Sequence, residues 1–208
     1  MMKNLAQRHF KENMELVCLT FVPSRKAEGG RTLNNFDLEK TLSSMVCLID
    51  SREQDTIRAR KRIQSIGLPV QRKALPFGDY SAYCTLPNGE VYSLENLVSI
   101  ERKMNLDEIA MCYTRERPRF KREFERARDA GAKVYLLIEN GDWEKIYAGK
   151  YRSKMTPDSF SASLTAWPVH YNCHVEFCRE ETTGRRIRDI LYREMKAHLE
   201  ALPDEPNG

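Results

Sequence analysis

The chain has 208 residues, with 34 Lys and Arg against 30 Asp and Glu, for a net charge of +4. Apolar residues at 41% and charged residues at 31% describe a globular chain of about one domain and exclude a disordered tail. No apolar run approaches the roughly 20 residues of a membrane span, and Met1–Phe10 lacks the apolar core of a secretory signal, so a cytoplasmic protein is expected.

Residues 1–44 read as an N-terminal extension of unknown role, with a short strand expected over Glu15–Val22 and a polar loop over Pro23–Asn35. From Met45 the pattern becomes regular. Met45–Ile49 is an apolar strand ending at Asp50, and a helix over Gln54–Ile66 is stopped by Gly67. Val70–Leu75 and Tyr80–Leu86 read as strands, the second running into a Pro87-Asn88-Gly89 turn, and Leu97–Arg102 as the next. Leu106, Ile109, Ala110 and Tyr113 mark one amphipathic helix, and Phe120, Phe124 and Ala127 mark another that ends at Gly131. Lys133–Ile138 is a buried strand. A short helix at Trp143–Tyr147 follows, then a helix with Phe160, Leu164 and Trp167 on one side. Cys173–Phe177 is a last strand and Thr183–Leu202 a long helix, before a short acidic tail over 201–208. The alternation predicts an α/β domain with a mixed β-sheet flanked by helices.

Six cysteines without a C-x-x-C pair read as reduced, largely buried thiols. His170, Cys173, His174 and Cys178 do not have zinc-finger spacing, and core cysteines are the simpler reading.

The informative residues are acids at strand ends. If Leu97–Lys103 is extended, Glu101 and Lys103 share one face while Val98 and Ile100 point to the other. Asp79 opens the preceding strand and can come beside Glu101, and Asp50 ends the first strand. Carboxylates converging with one lysine suit phosphodiester hydrolysis assisted by a hard divalent cation. Such a cation needs few protein oxygens, lowers the pKa of bound water and offsets charge on the attacked phosphate. A nearby lysine can orient that water or stabilise the transition state. By itself the D…E-x-K pattern is short and also describes an ordinary solvated strand end.

Three longer motifs make the sequence more specific. Asp50-Ser51-Arg52-Glu53, Gly78-Asp79-Tyr80 and Glu101-Arg102-Lys103-Met104-Asn105-Leu106-Asp107 resemble, in order, the D-x-R-E, GDY and ERKxxxD motifs of XPF-type endonucleases of the PD-(D/E)xK superfamily. Arg117–Phe124 resembles the basic helix after the motif, and Leu136–Glu139 the strand that follows. The resemblance spans about Val46 to Leu199 and implies a restriction-endonuclease-like fold over residues 45–200. It implies that Asp79 and Glu101 bind Mg²⁺ or Mn²⁺ with Asp50 nearby, and that Lys103 assists the attacking water. Arg102 and Asp107 would support the site, and Arg52 and Glu53 would line it. The implied substrate is branched DNA: a flap, fork or junction. No helix-hairpin-helix modules follow and no helicase motor precedes these motifs, as in compact bacterial and phage versions that could still form a homodimer through the nuclease domain.

Two basic segments flank the motifs. Arg58–Lys73 holds six Lys and Arg and no acid; Arg115–Arg128 holds seven against three Glu. Arg115, Arg117, Arg119, Lys121 and Arg122, directly after the ERK helix, are the candidate DNA-backbone contacts. Tyr80 and Tyr83 are candidates either for stacking on bases or for core packing. No P-loop is present, so ATP use is not expected, and no serine or cysteine hydrolase motif appears. Two other readings remain: a non-catalytic DNA-binding or scaffold subunit, which would have lost the acids or lysine, and a resolvase or restriction-type nuclease of the same superfold.

Overall fold

A computed structural model describes residues 35–202. The strand expected at Glu15–Val22, most of the loop before Asn35 and the tail after Leu202 lie outside the described residues.

Seven strands form one mixed sheet. In chain order they are β1 (Val46–Asp50), β2 (Val70–Lys73), β3 (Tyr80–Thr85), β4 (Val91–Ser93), β5 (Val98–Lys103), β6 (Lys133–Glu139) and β7 (Cys173–Cys178). The spatial order is β2-β1-β3-β5-β6-β7, with β4 paired to β3. β1 is antiparallel to β3 and β3 to β5, while β5, β6 and β7 run parallel to one another. β1, β5 and β6 therefore point the same way. Their carboxyl ends meet the amino end of β3 along one edge of the sheet, which brings Asp50, Asp79, Glu101 and Glu139 together.

Helices cover both faces, and the period of two along each strand sorts side chains between them. Val134, Leu136 and Ile138 of β6 face a core built with α3 (Leu106–Tyr113), α4 (Arg117–Asp129), α5 (Trp143–Tyr147) and α6 (Pro157–His170). Leu137 joins Val98, Ile100, Cys47 and Ile49 on the opposite side, with α1 (Asn35–Ser43), α2 (Ile57–Ile66) and α7 (Thr183–Glu200). Burying a side chain of this size contributes about 1.5–3 kcal/mol, so strands apolar on both faces belong at the centre of the sheet. β2, exposed along its length and bearing Arg72 and Lys73, forms an edge.

The chain-order expectations agree with these elements with two additions. β4 is three residues long, too short to give an alternation in sequence. α1 begins at Asn35, inside the stretch read as extension, and joins the core through Leu38 and Leu42. The five described cysteines are free thiols, and burial pushes Cys47 up to about 12.

Candidate active site

The four strand ends open into a cleft of about 710 Å³. Its construction starts at Gly78, whose φ of +69° lies in the left-handed region. A Cβ there would come within 2.8 Å of Ser99 Oγ and 3.1 Å of the Ile100 carbonyl. Only glycine lets the chain press this closely onto β5. Asp79 is thereby fixed opposite Glu101: its N–H donates to the Ile100 carbonyl at 2.8 Å, and its Oδ2 accepts the Arg102 N–H at 2.8 Å.

Glu101 and Lys103 lie on the same face, as the alternation requires, yet neither emerges into solvent. Both are buried against α4, at 5% and 9% exposure. Lys103 Nζ donates to Glu101 Oε1 at 2.5 Å. Burial and the charge of Asp79 push the Glu101 carboxyl well above the usual carboxylate range, with Lys103 acting against the rise. Burial also raises Asp79, opposed by Lys103 and by the Arg102 N–H. Burial works against the charge on Lys103, but Glu101 and Asp79 outweigh it and hold the ammonium protonated. Two carboxylates disfavoured as anions, beside one cation, form a pocket that another positive charge would relieve.

Arg102 leaves β5 on the other side of the sheet. Its guanidinium pairs with Glu139 at 3.2 Å and approaches Glu53 at 4.0 Å. Arg62 of α2, only 5% exposed, donates to Glu53 and to the Tyr80 hydroxyl, and lies 3.7 Å from Glu139. Arg62 belongs in sequence to the basic Arg58–Lys73 segment, but in the fold it is a buried strut. Tyr80 is fully buried, so it packs and does not stack on a base. Glu139 and Arg62 were not assigned to the site from sequence; the signal available was a charge ending an apolar strand and one interrupting a helix's apolar side.

Asp50 is buried at the cleft wall. Its Oδ1 accepts the Arg52 N–H and Nε at 2.7 Å each, and its Oδ2 accepts Arg52 Nη2 and the Leu75 N–H at 2.9 Å each. Burial disfavours the anion, but these donors overcome it and lower the pKa. With four donors engaged, both oxygens are saturated. As placed, Asp50 orients Arg52 and does not offer a lone pair to a cation. Asp107 does not line the cleft. It accepts the Arg152 N–H at 2.6 Å and Nε at 2.9 Å, pinning the loop after α5 to the start of α3.

The outer wall is α4. Arg119, Arg122, Glu123 and Arg126 line the cleft, following a helical repeat. Of the predicted DNA contacts, Arg119 and Arg122 are brought to the cleft, whereas Arg115, Arg117 and Lys121 are not among its lining residues. Lys121 instead pairs with Glu125 at 3.2 Å. Arg126, one turn beyond Arg122, completes the row; Phe120, Phe124 and Ala127 face the core, which fixes the opposite side. Among the described residues Arg122 and Arg126 make no ion pair, unlike Arg52, Arg62 and Arg102.

The pattern of this edge is matched by a family model, the ERCC4 domain, over residues 49–186, which contains all the motif residues. The chain belongs to the ERCC4 domain family. XPF from Aeropyrum pernix is similar in fold, with a TM-score of 0.51 and 19% identity over 72% of this chain and 61% of that one. The ERCC4 domain here is thus an XPF-type nuclease domain by family and by fold, spanning less than two thirds of the XPF chain it matches. No curated protein sequence matches it.

A divalent cation fits this ERCC4 domain through two carboxylates. Asp79 and Glu101 each keep one oxygen free of protein donors, and both are carboxylates that a cation would stabilise. No three acidic, histidine or cysteine side chains converge as a metal cluster among the described residues. A cation here would draw its other ligands from water and phosphate, the coordination Mg²⁺ prefers.

Proposed function

We propose that this domain is an endonuclease that uses Mg²⁺ or Mn²⁺ to hydrolyse phosphodiester bonds in branched DNA. The observation that carries the reading is the Asp79–Glu101–Lys103 group at the floor of a cleft whose outer wall presents Arg119, Arg122 and Arg126. Asp79 and Glu101 would hold the cation. When bound, the cation would supply Lewis-acid stabilisation and an ionised water at neutral pH. Lys103, held protonated, would stand beside the attacked phosphate and stabilise the charge that develops there. The α4 arginines would neutralise the backbone on either side and set its register without reading sequence. Branched DNA and a homodimer through the nuclease domain are supported by the family alone.

The test is a panel of labelled flap, fork, junction and plain duplex DNA with Mg²⁺, Mn²⁺ or EDTA. Metal-dependent cutting of one or more branched forms is expected. Cutting that persists in EDTA, or in Asp79→Ala and Lys103→Ala, overturns the assignment. A wild type that binds these DNAs and cuts none favours the scaffold reading. Cutting of plain duplex at a defined sequence favours the restriction-type reading. Light scattering gives the mass in solution and decides the homodimer.

A further inference from the structure

We propose that Phe120 is a positioning residue for Lys103, its ring fixing where the ammonium stands in the reaction assigned above. The inference rests on that assignment. Lys103 is 9% exposed, and its Nζ lies 5.2 Å from the centroid of the Phe120 ring, inside the range at which a ring face attracts a cation. A lysine ammonium is a compact, strongly hydrated charge on a flexible stem, so removing it from water needs replacement contacts on more than one side. Glu101 supplies one and the Phe120 ring another.

The ring does not follow the lysine. It stacks on Trp167 at 5.3 Å with a 19° interplanar angle, and meets Phe124 edge-on at 4.9 Å and Tyr113 at 5.9 Å. These partners come from α3, α4 and α6, so three helices set the ring and the lysine settles on it. Without that face, the ammonium would keep its 2.5 Å contact with Glu101 but could swing about that carboxylate, away from the phosphate side of the cleft. Phe120 also lies on the helix that carries Arg119 and Arg122, so the wall that would grip the DNA backbone and the ring that holds the lysine are one rigid element.

The test replaces Phe120 with mono-, di- and trifluorophenylalanine, which withdraw charge from the ring face and leave its shape nearly unchanged. The expected result is a stepwise fall in kcat, reaching about tenfold for the trifluoro ring, with KM for DNA unchanged. Phe120→Tyr is expected to retain near-wild-type kcat. A second readout needs no activity: the ε-methylene protons of Lys103 should be shifted upfield by the ring in NMR spectra of wild type and Phe120→Tyr, and return to an ordinary lysine position in Phe120→Leu. A flat fluorination series in a wild type that cuts DNA overturns this inference alone, as do ε-methylene protons at the ordinary position in wild type. A wild type that cuts no DNA overturns the underlying assignment, while the NMR comparison still reports the lysine's contact.

Discussion

The backbone N–H of Arg102 donates to Asp79 Oδ2 at 2.8 Å, while the Arg102 side chain runs to Glu139 on the far side of the sheet. One residue of the ERK triplet thus locks the GDY acid through its backbone and anchors the opposite core through its guanidinium. Glu101 and Lys103, on either side of it, point the other way into the cleft floor. Both faces of β5 serve the site.

The first prediction concerns these acids and the lysine. Asp79→Asn, Glu101→Gln and Lys103→Ala should each lower kcat for DNA cleavage by at least about 10²-fold, the usual loss of one preorganised electrostatic group. Circular dichroism and melting should show a folded chain in each. Glu101→Gln that cuts at the wild-type rate would remove Glu101 from the chemistry.

The α4 row separates two sets of basic residues. Arg122→Ala and Arg126→Ala should weaken DNA binding at all sequences and reduce the slope of log affinity against log salt by about one each. Lys121→Ala, which removes a residue paired with Glu125 outside the cleft, should leave the slope unchanged. Fluorescence anisotropy across a salt series measures both, and an equal effect at Lys121 would mean that DNA takes another path.

Metal binding should be visible without substrate. Mn²⁺ at roughly 100 times its dissociation constant stabilises a folded protein by about 2.7 kcal/mol, equivalent to about 5–11 °C in Tm for a chain of this size. Thermal melts in Mn²⁺ and in EDTA should differ by this order for wild type and coincide for the Asp79→Asn, Glu101→Gln double variant. A full Mn²⁺ shift in that variant would place the cation elsewhere.

A pH-dependent term comes from Glu194 on α7, away from the site. Burial disfavours its anion, but Lys133 Nζ at 2.8 Å and the Tyr135 hydroxyl at 2.5 Å outweigh this, and the folded pKa is lowered. A carboxyl lowered on folding contributes stability above its unfolded pKa and loses it as pH falls through the folded value. Glu194→Gln should therefore melt below wild type at pH 7, by about 1–2 kcal/mol for charge-assisted hydrogen bonds, half of them to a partly exposed lysine. The gap should close as pH falls below the ordinary glutamate range and through the lowered folded value. Melts from pH 3 to 8 decide this, and a gap that stays constant with pH would show that packing alone is lost.

Gly184 tests how α7 seats on α2. A Cβ there would collide with Ser65 Oγ and the Arg62 carbonyl, and reach 2.9 Å from the Ile66 N. Two of these neighbours are helix backbone and cannot turn aside. Gly184→Ala should destabilise by about 1–3 kcal/mol, the range for overpacking. Because the displaced helix carries Arg62, cleavage should also fall. An unchanged Tm would mean that the two helices are looser than their contacts imply.

Much of the site was legible in the chain because short-range rules place it. Period two along Leu97–Lys103 puts Glu101 and Lys103 on one face and Val98 and Ile100 on the other in any extended strand. The three motifs identify the acids, and the apolar periodicities mark the helices that pack on the sheet. Other features depend on which elements meet. Burial of Glu101 and Lys103 follows from α4 lying over β5, a long-range contact that no local pattern reports. The seven basic residues of Arg115–Arg128 look alike in sequence; only the packing of Phe120, Phe124 and Ala127 turns Arg119, Arg122 and Arg126 towards the cleft and leaves Arg115, Arg117 and Lys121 off it. The same applies to Arg62, which reads as one more cation in a basic helix until Glu53, Glu139 and Tyr80 converge on it from three other segments. Sequence determined the chemistry at the strand ends, because residue type and alternation are local properties. Tertiary structure decided which charges are spent within the protein and which are left for a ligand, because pairing is set by neighbours far apart in the chain.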